Sequence, residues 1–230
     1  LDPLYKVREA EEKGIIRKSL ANRIERRMKY VKEGIERVER ASSLSYPPYY
    51  IEPYLTFAAT RLEIGQFGIM YARVLPKILK GEVKIFIELS APLILYARKG
   101  TLHAVLGHEF LHYIELVRKL TSFDVLAEEK MHTLFESSYA DMGRIIEPKL
   151  IFKDRALIRL INKRFPNGLV DEKLDTKVMK MWIEKNMPTR QISPDENVVR
   201  IPIHVILATK FDEKLRMRLD GISKLERSFN

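Results

Sequence analysis

The sequence predicts an α+β fold, mostly helical with a small sheet, and three patterns carry that expectation. Apolar residues recur at three- and four-residue spacing across residues 4–40 (Ile16, Leu20, Ile24, Met28, Val31, Ile35, Val38), the period of a helix with one buried face. Residues 83–89 instead alternate Val83, Ile85, Ile87 and Leu89 with Lys84, Phe86 and Glu88, the period of a strand with one dry face. From Leu102 onward, Val105, Leu106, Tyr113, Leu116, Val117 and Leu120 restore the helical period.

The remaining elements follow in order. Residues 42–53 break the first helix with three prolines. The tyrosines around them (Tyr46, Tyr49, Tyr50, Tyr54) read as an ordered linker packed on the domain, with a peptide groove as the alternative. Residues 56–80 read as helix, 83–89 as strand, and 93–97 as a second short strand after Ser90-Ala91-Pro92. Gly100-Thr101 opens the next helix. Helices are expected over residues 123–146, 156–164 and 171–185, the last around Trp182, the single tryptophan. Residues 198–208 read as a strand with Pro202 at a bulge or edge, and a basic helix follows Lys210. The organisation expected is a basic helical segment, residues 1–42, and a domain over 43–230.

At 230 residues and 46% hydrophobic content the chain can bury a real core. The longest apolar candidate, residues 85–97, includes Glu88 and falls short of the ~18 residues a membrane span needs. The chain begins at Leu1 and not at Met, so a preceding leader, anchor or domain is left open. Cysteine is absent, which excludes disulfides and thiolate ligands. With only Gln66 and Gln191, six Asn and 31% charged residues, the composition reads as that of a thermophile's cytoplasmic protein. The net charge of +10 raises nucleic acid as a partner. Residues 12–40 hold ten Lys/Arg against five Glu, interspersed. That is the pattern of a solvated helix with i,i+4 pairs, or of a surface for nucleic acid or protein.

The chemistry concentrates in Gly107-His108-Glu109-Phe110-Leu111-His112. On a helix, His108 and His112 stand one turn apart on one face, where both can reach one metal ion at roughly 2.0–2.1 Å. Glu109 lies beside them, placed to take a proton from a metal-bound water. With five His in the chain, chance gives this pattern in on the order of one per hundred such sequences. Glu109 also falls inside the apolar stripe, where an unpaired carboxylate costs several kcal/mol.

The run resembles the extended zincin signature, which has uncharged residues around H-E-x-x-H and a hydrophobic residue, here Ile114, two places after the second His. The resemblance covers about 35 residues. It implies a zincin-like core in which residues 83–89 form the edge strand above the cleft, one zinc ion, and a metallopeptidase acting on a peptide or protein.

A catalytic zinc needs a third protein ligand, and downstream stand Asp124, Glu128, Glu129, His132, Glu136 and Asp141. If the motif helix turns back through Thr121-Ser122 into an antiparallel helix, Glu136 comes level with Gly107 and His132 with Leu111. Glu128 and Glu129 come about a turn too low. Glu136 borders a face of small residues (Thr133, Ser137, Ala140, Gly143), and His132 remains the alternative. Phe135-Glu136-Ser137-Ser138 also resembles the gluzincin pattern, at 24 residues after His112. Ala140 stands where gluzincins often carry an Asp. Tyr113, Tyr139 and His204 are candidate donors to a developing oxyanion. Two rival readings use the same residues: a zinc-binding but catalytically degenerate zincin-fold interaction module, and a nucleic-acid-associated regulator acting through residues 17–32.

Overall fold

The computed structural model describes residues 2–59, 67–121, 134–138, 145–193 and 198–228. Two helices, α1 (Tyr5–Glu12) and α2 (Lys18–Ser42), stand where one was expected over residues 4–40. Gly14 turns the chain between them at φ +69°, a conformation that a side chain would oppose. The apolar face of α2 (Leu20, Ile24, Met28, Val31, Val38) enters the same continuous core as the rest of the chain.

The first sheet has the order β1-β5-β4, from β1 (Tyr49–Glu52), β4 (Ala72–Leu79) and β5 (Glu82–Ser90). β1 runs parallel to β5, and β4 returns antiparallel through Lys80-Gly81. Both turn residues have positive φ, 52° and 77°, as a two-residue type I′ hairpin requires. The strand expected at residues 83–89 is therefore central, not an edge. Glu88 lies opposite Tyr50 on one side and Arg73 on the other. Alternation specifies a half-buried strand but says nothing of how many neighbours it has.

Residues 56–80, expected as helix, instead supply β2 (Leu55–Ala59), β3 (Phe67–Met70) and β4. Pro76 lies mid-way along β4, where a helix interior would lose a hydrogen bond but an edge strand tolerates it. β2 pairs antiparallel with β3 and parallel with β7 (Thr189–Ile192). A two-stranded sheet joins β6 (Leu134–Ser138) to β8 (Val198–Pro202). The strand expected at residues 93–97 is the helix α3 (Ala91–Tyr96), with Ser90 accepting from the Leu93 amide and Pro92 in the first turn.

The remaining elements are α5 (Pro148–Ile151), α6 (Arg155–Arg164), α7 (Glu172–Val178), the π-helical turn Met179–Ile183, α8 (Ile203–Ala208) and α9 (Glu213–Ser228). Residues 198–208 thus divide at Pro202 into strand and helix. Trp182 is fully buried, and its indole N–H donates to the Pro188 carbonyl at 2.9 Å. Among the described residues, no helix is long and apolar enough to cross a membrane.

The motif helix α4 (Lys99–Thr121) lies between α2 and α6 and is buried nearly all round. A glycine lies at each contact. A Cβ on Gly34 of α2 would stand 2.5 Å from Leu106 Cδ1 and 2.8 Å from His103 Cδ2. One on Gly107 of α4 would stand 2.8 Å from Ile161 Cδ1 of α6. All three spacings are too close for carbon atoms, so a side chain at either position would have to push its neighbours aside.

Candidate metal centre

α4 buries five polar or charged side chains among its apolar ones: Thr101, His103, His108, Glu109 and Glu115. Thr101 donates to Asp171 at 2.5 Å, Glu115 accepts from Arg118 at 2.9 Å, and His103 bonds the Tyr30 carbonyl. His103 turns toward α2, about 140° around the helix from His108. It therefore belongs to a helix contact and not to the motif pair. Burial first, then Arg37 and Lys99, hold its imidazole below the usual histidine range.

His108 and His112 meet edge to face, with ring centroids 4.6 Å apart at 85°. Their Nε2 atoms stand 3.0 Å from each other. Two ligands of a tetrahedral zinc, each about 2.05 Å from it, would have nitrogens roughly 3.3 Å apart. The pair is thus within a few tenths of an ångström of that spacing, with both Nε2 atoms converging on one region. The same separation suits a hydrogen bond between neutral imidazoles. His108 and Glu109 are each 6% exposed and His112 is half-buried, so the pair is reached from the His112 side.

Two aromatic residues hold the site. Phe165, just beyond α6, stacks flat on the His108 ring at 3.7 Å and 9°. Tyr46, in the linker after α2, stacks on Phe110 at 5.6 Å and 14°, and its hydroxyl donates to the Leu106 carbonyl at 3.1 Å. Burial, with the nearby Glu109 charge, raises the Tyr46 hydroxyl well above the usual phenol range. Phe165 carries no motif signal in the sequence. Tyr46 has one, its place before Pro47-Pro48, and the tyrosine-proline linker does pack on the domain.

Residues 123–146 were expected as one helix, but Leu134–Ser138 is the strand β6, with Glu136 opposite Arg200 of β8. Strand pairing with a distant segment overrides the local helical pattern here. Glu136 therefore does not stand level with Gly107 on an antiparallel helix, and helix levels do not separate it from Glu128 and Glu129. His132, Glu128, Glu129, Asp124, Asp141 and Tyr139 lie outside the described residues. Among the described residues, no group of three His, Asp or Glu is placed to hold a metal. Of the other candidate oxyanion donors, His204 is exposed on α8. Tyr113 is half-buried, and burial together with Asp212 pushes its hydroxyl up to about 12.

Compared with protein-family models, curated proteins and solved structures, the chain matches none.

Proposed function

We propose that the chain is a zinc-dependent metallopeptidase, with His108 and His112 as ligands, Glu109 as general base and Glu136 as third ligand. The observation that carries the reading is the convergence of the two Nε2 atoms at 3.0 Å beside a buried glutamate. Zinc bound there would act as a Lewis acid toward water and the scissile carbonyl. Glu109 takes the proton from the attacking water at its carboxylate and returns it to the leaving amine. Phe165 keeps the His108 ring from rotating, so Nε2 stays aimed at its partner. The half-buried His112 edge is where a peptide enters.

Metal analysis beside one isosteric substitution tests this. Purified protein should hold about one zinc, and His108→Ala, His112→Ala and Glu136→Ala should each lose it. Glu109→Gln keeps shape and zinc but removes the base, so peptide cleavage should fall at least about a hundredfold. Zinc retained in both histidine variants would place the metal elsewhere. Zinc lost in His132→Ala but kept in Glu136→Ala would replace the third ligand. Cleavage undiminished in Glu109→Gln would end the peptidase reading.

A further inference from the structure

The charge of α2 is divided along its length. Residues 17–32 carry seven Lys/Arg and one carboxylate, Glu25, whereas residues 33–42 carry two Arg and three Glu. The positive half lies at the helix N-terminus, where the aligned peptide dipoles already present positive charge. No acidic residue occupies the first turn, and Arg17 gives no side-chain cap. A helix selected only for stability would place its charges the other way round.

This half is also exposed. Lys18, Arg23, Arg26, Lys29 and Lys32 face solvent, and among the described residues none of them forms an ion pair with a carboxylate. Lys99, at the start of α4, borders the patch but is paired with Glu33; its ammonium lies 6.0 Å from the Tyr30 ring, beside Lys29 at 5.0 Å and the Arg27 guanidinium at 5.1 Å. The charges of Lys29 and Arg27 at one ring repel each other, and an anion with regularly spaced charges would relieve that repulsion.

We propose that this face of α2 docks double-stranded nucleic acid through its phosphates. From Lys18 to Lys32 the helix runs about 21 Å, alongside roughly a dozen duplex charges at about 1.7 Å each. A membrane surface fits less well, because the apolar face of α2 is already in the core and offers nothing to insert. Single strands are usually held by open aromatic platforms, and here Tyr30 is taken up by cations. The contact reads no sequence, since every group in it suits a phosphate. It is independent of the peptidase reading, which rests on α4.

The test is anisotropy titration of the full chain with a fluorescent mixed-sequence DNA duplex of about 20 bp, two helical turns. With five contacts (Lys18, Arg23, Arg26, Lys29, Lys32), log K should fall with log salt at a slope of about −4.5. That is a loss of several hundredfold between about 50 and 200 mM salt. The triple variant Arg26→Gln/Lys29→Gln/Lys32→Gln changes only exposed side chains and should flatten the slope by about 2.7. The single variant Arg26→Gln should flatten it by about 0.9. A control with the same charge change elsewhere, Lys163→Gln/Lys173→Gln/Lys210→Gln, should keep the wild-type slope. Absence of duplex binding at low salt overturns the proposal, as does an unchanged slope in the triple variant or an equal loss in the control. So does equal or tighter binding to the single strand or to phosphatidylserine vesicles.

Discussion

At the scale of single residues, absent side chains matter as much as present ones. Gly34 is buried within α2, where alanine would normally stabilise a helix by about 1 kcal/mol. Its added Cβ would stand 2.8 Å from a ring atom of His103, itself held by the Tyr30 carbonyl and 5% exposed. An imidazole fixed in that way cannot swing aside as a flexible chain end would. Overpacking of roughly 1–3 kcal/mol should therefore outweigh the helix preference. Gly34→Ala should lower the urea midpoint, and an unchanged or raised midpoint would show that α2 can withdraw from α4 at little cost. Phe165 acts at the same scale, since its ring fixes the plane of His108.

At the scale of elements, two titratable groups tie the helices around α4 together. Arg37 of α2 donates to Asp154 at 2.7 Å, and Asp154 also caps α6 through the Ala156 and Leu157 amides. The Arg37 hydrogen bond, chiefly, lowers the Asp154 carboxyl to about 2 from its ordinary 3.8. A lowered carboxyl contributes stability that is complete above the unfolded value and disappears as pH falls through the folded one. At most about 2 kcal/mol should be lost between roughly pH 4 and 2. His103 shifts in the same direction, with burial as the main cause. Its neutral form is favoured in the fold, so its contribution is present above about pH 6.5 and declines as pH falls below that. Glu33 from α2 opposes the shift, while Arg37 and Lys99 reinforce it. Urea unfolding across pH should show both limbs. Asp154→Asn, which keeps a capping oxygen, should flatten the lower limb, and His103→Gln the upper. A profile identical to wild type in either variant would remove that group from the account.

At the scale of the whole molecule, a charge network on the first sheet joins parts far apart in sequence. Glu88 accepts from Arg73 at 2.8 Å, Arg190 at 2.6 Å and Tyr50 at 2.8 Å. Glu52 accepts from Lys6 at 2.6 Å and Arg190 at 3.3 Å. Both glutamates are buried, at 4% and 2% exposure. Burial opposes the charge on Glu88, but Arg73 and Arg190 outweigh it and hold the carboxyl below its usual range. Arg190 lies on β7 of the second sheet and Lys6 on α1, so the network links the first two sheets to the first helix. Removing one partner of a buried charge usually costs about 3–5 kcal/mol. Arg190→Met should therefore lower the melting temperature by roughly 10 °C, given the size scaling of thermal unfolding. A fall of only about a degree would mean that Arg73 and Lys6 suffice without it.

The sequence alone determined the features that repeat within one element. The helical period placed α2 and α4, the alternation of residues 83–89 placed β5, and the four-residue spacing of His108 and His112 put both imidazoles on one helix face. The carboxylate expected in the apolar seam, Glu109, is buried there. Tertiary structure decided what depends on partners distant in the chain. It made β5 central by adding β1 and β4 to its two sides, and turned residues 134–138 into a strand by pairing them with β8. It also brought Phe165 onto His108 and gathered Lys6, Arg73 and Arg190 around two buried glutamates. The physical reason is the range of the interactions. Helix hydrogen bonds close within four residues, so local spacing encodes them. Strand pairing, stacking and buried ion pairs are satisfied by any suitable group the fold delivers, and local spacing carries no record of which group that is.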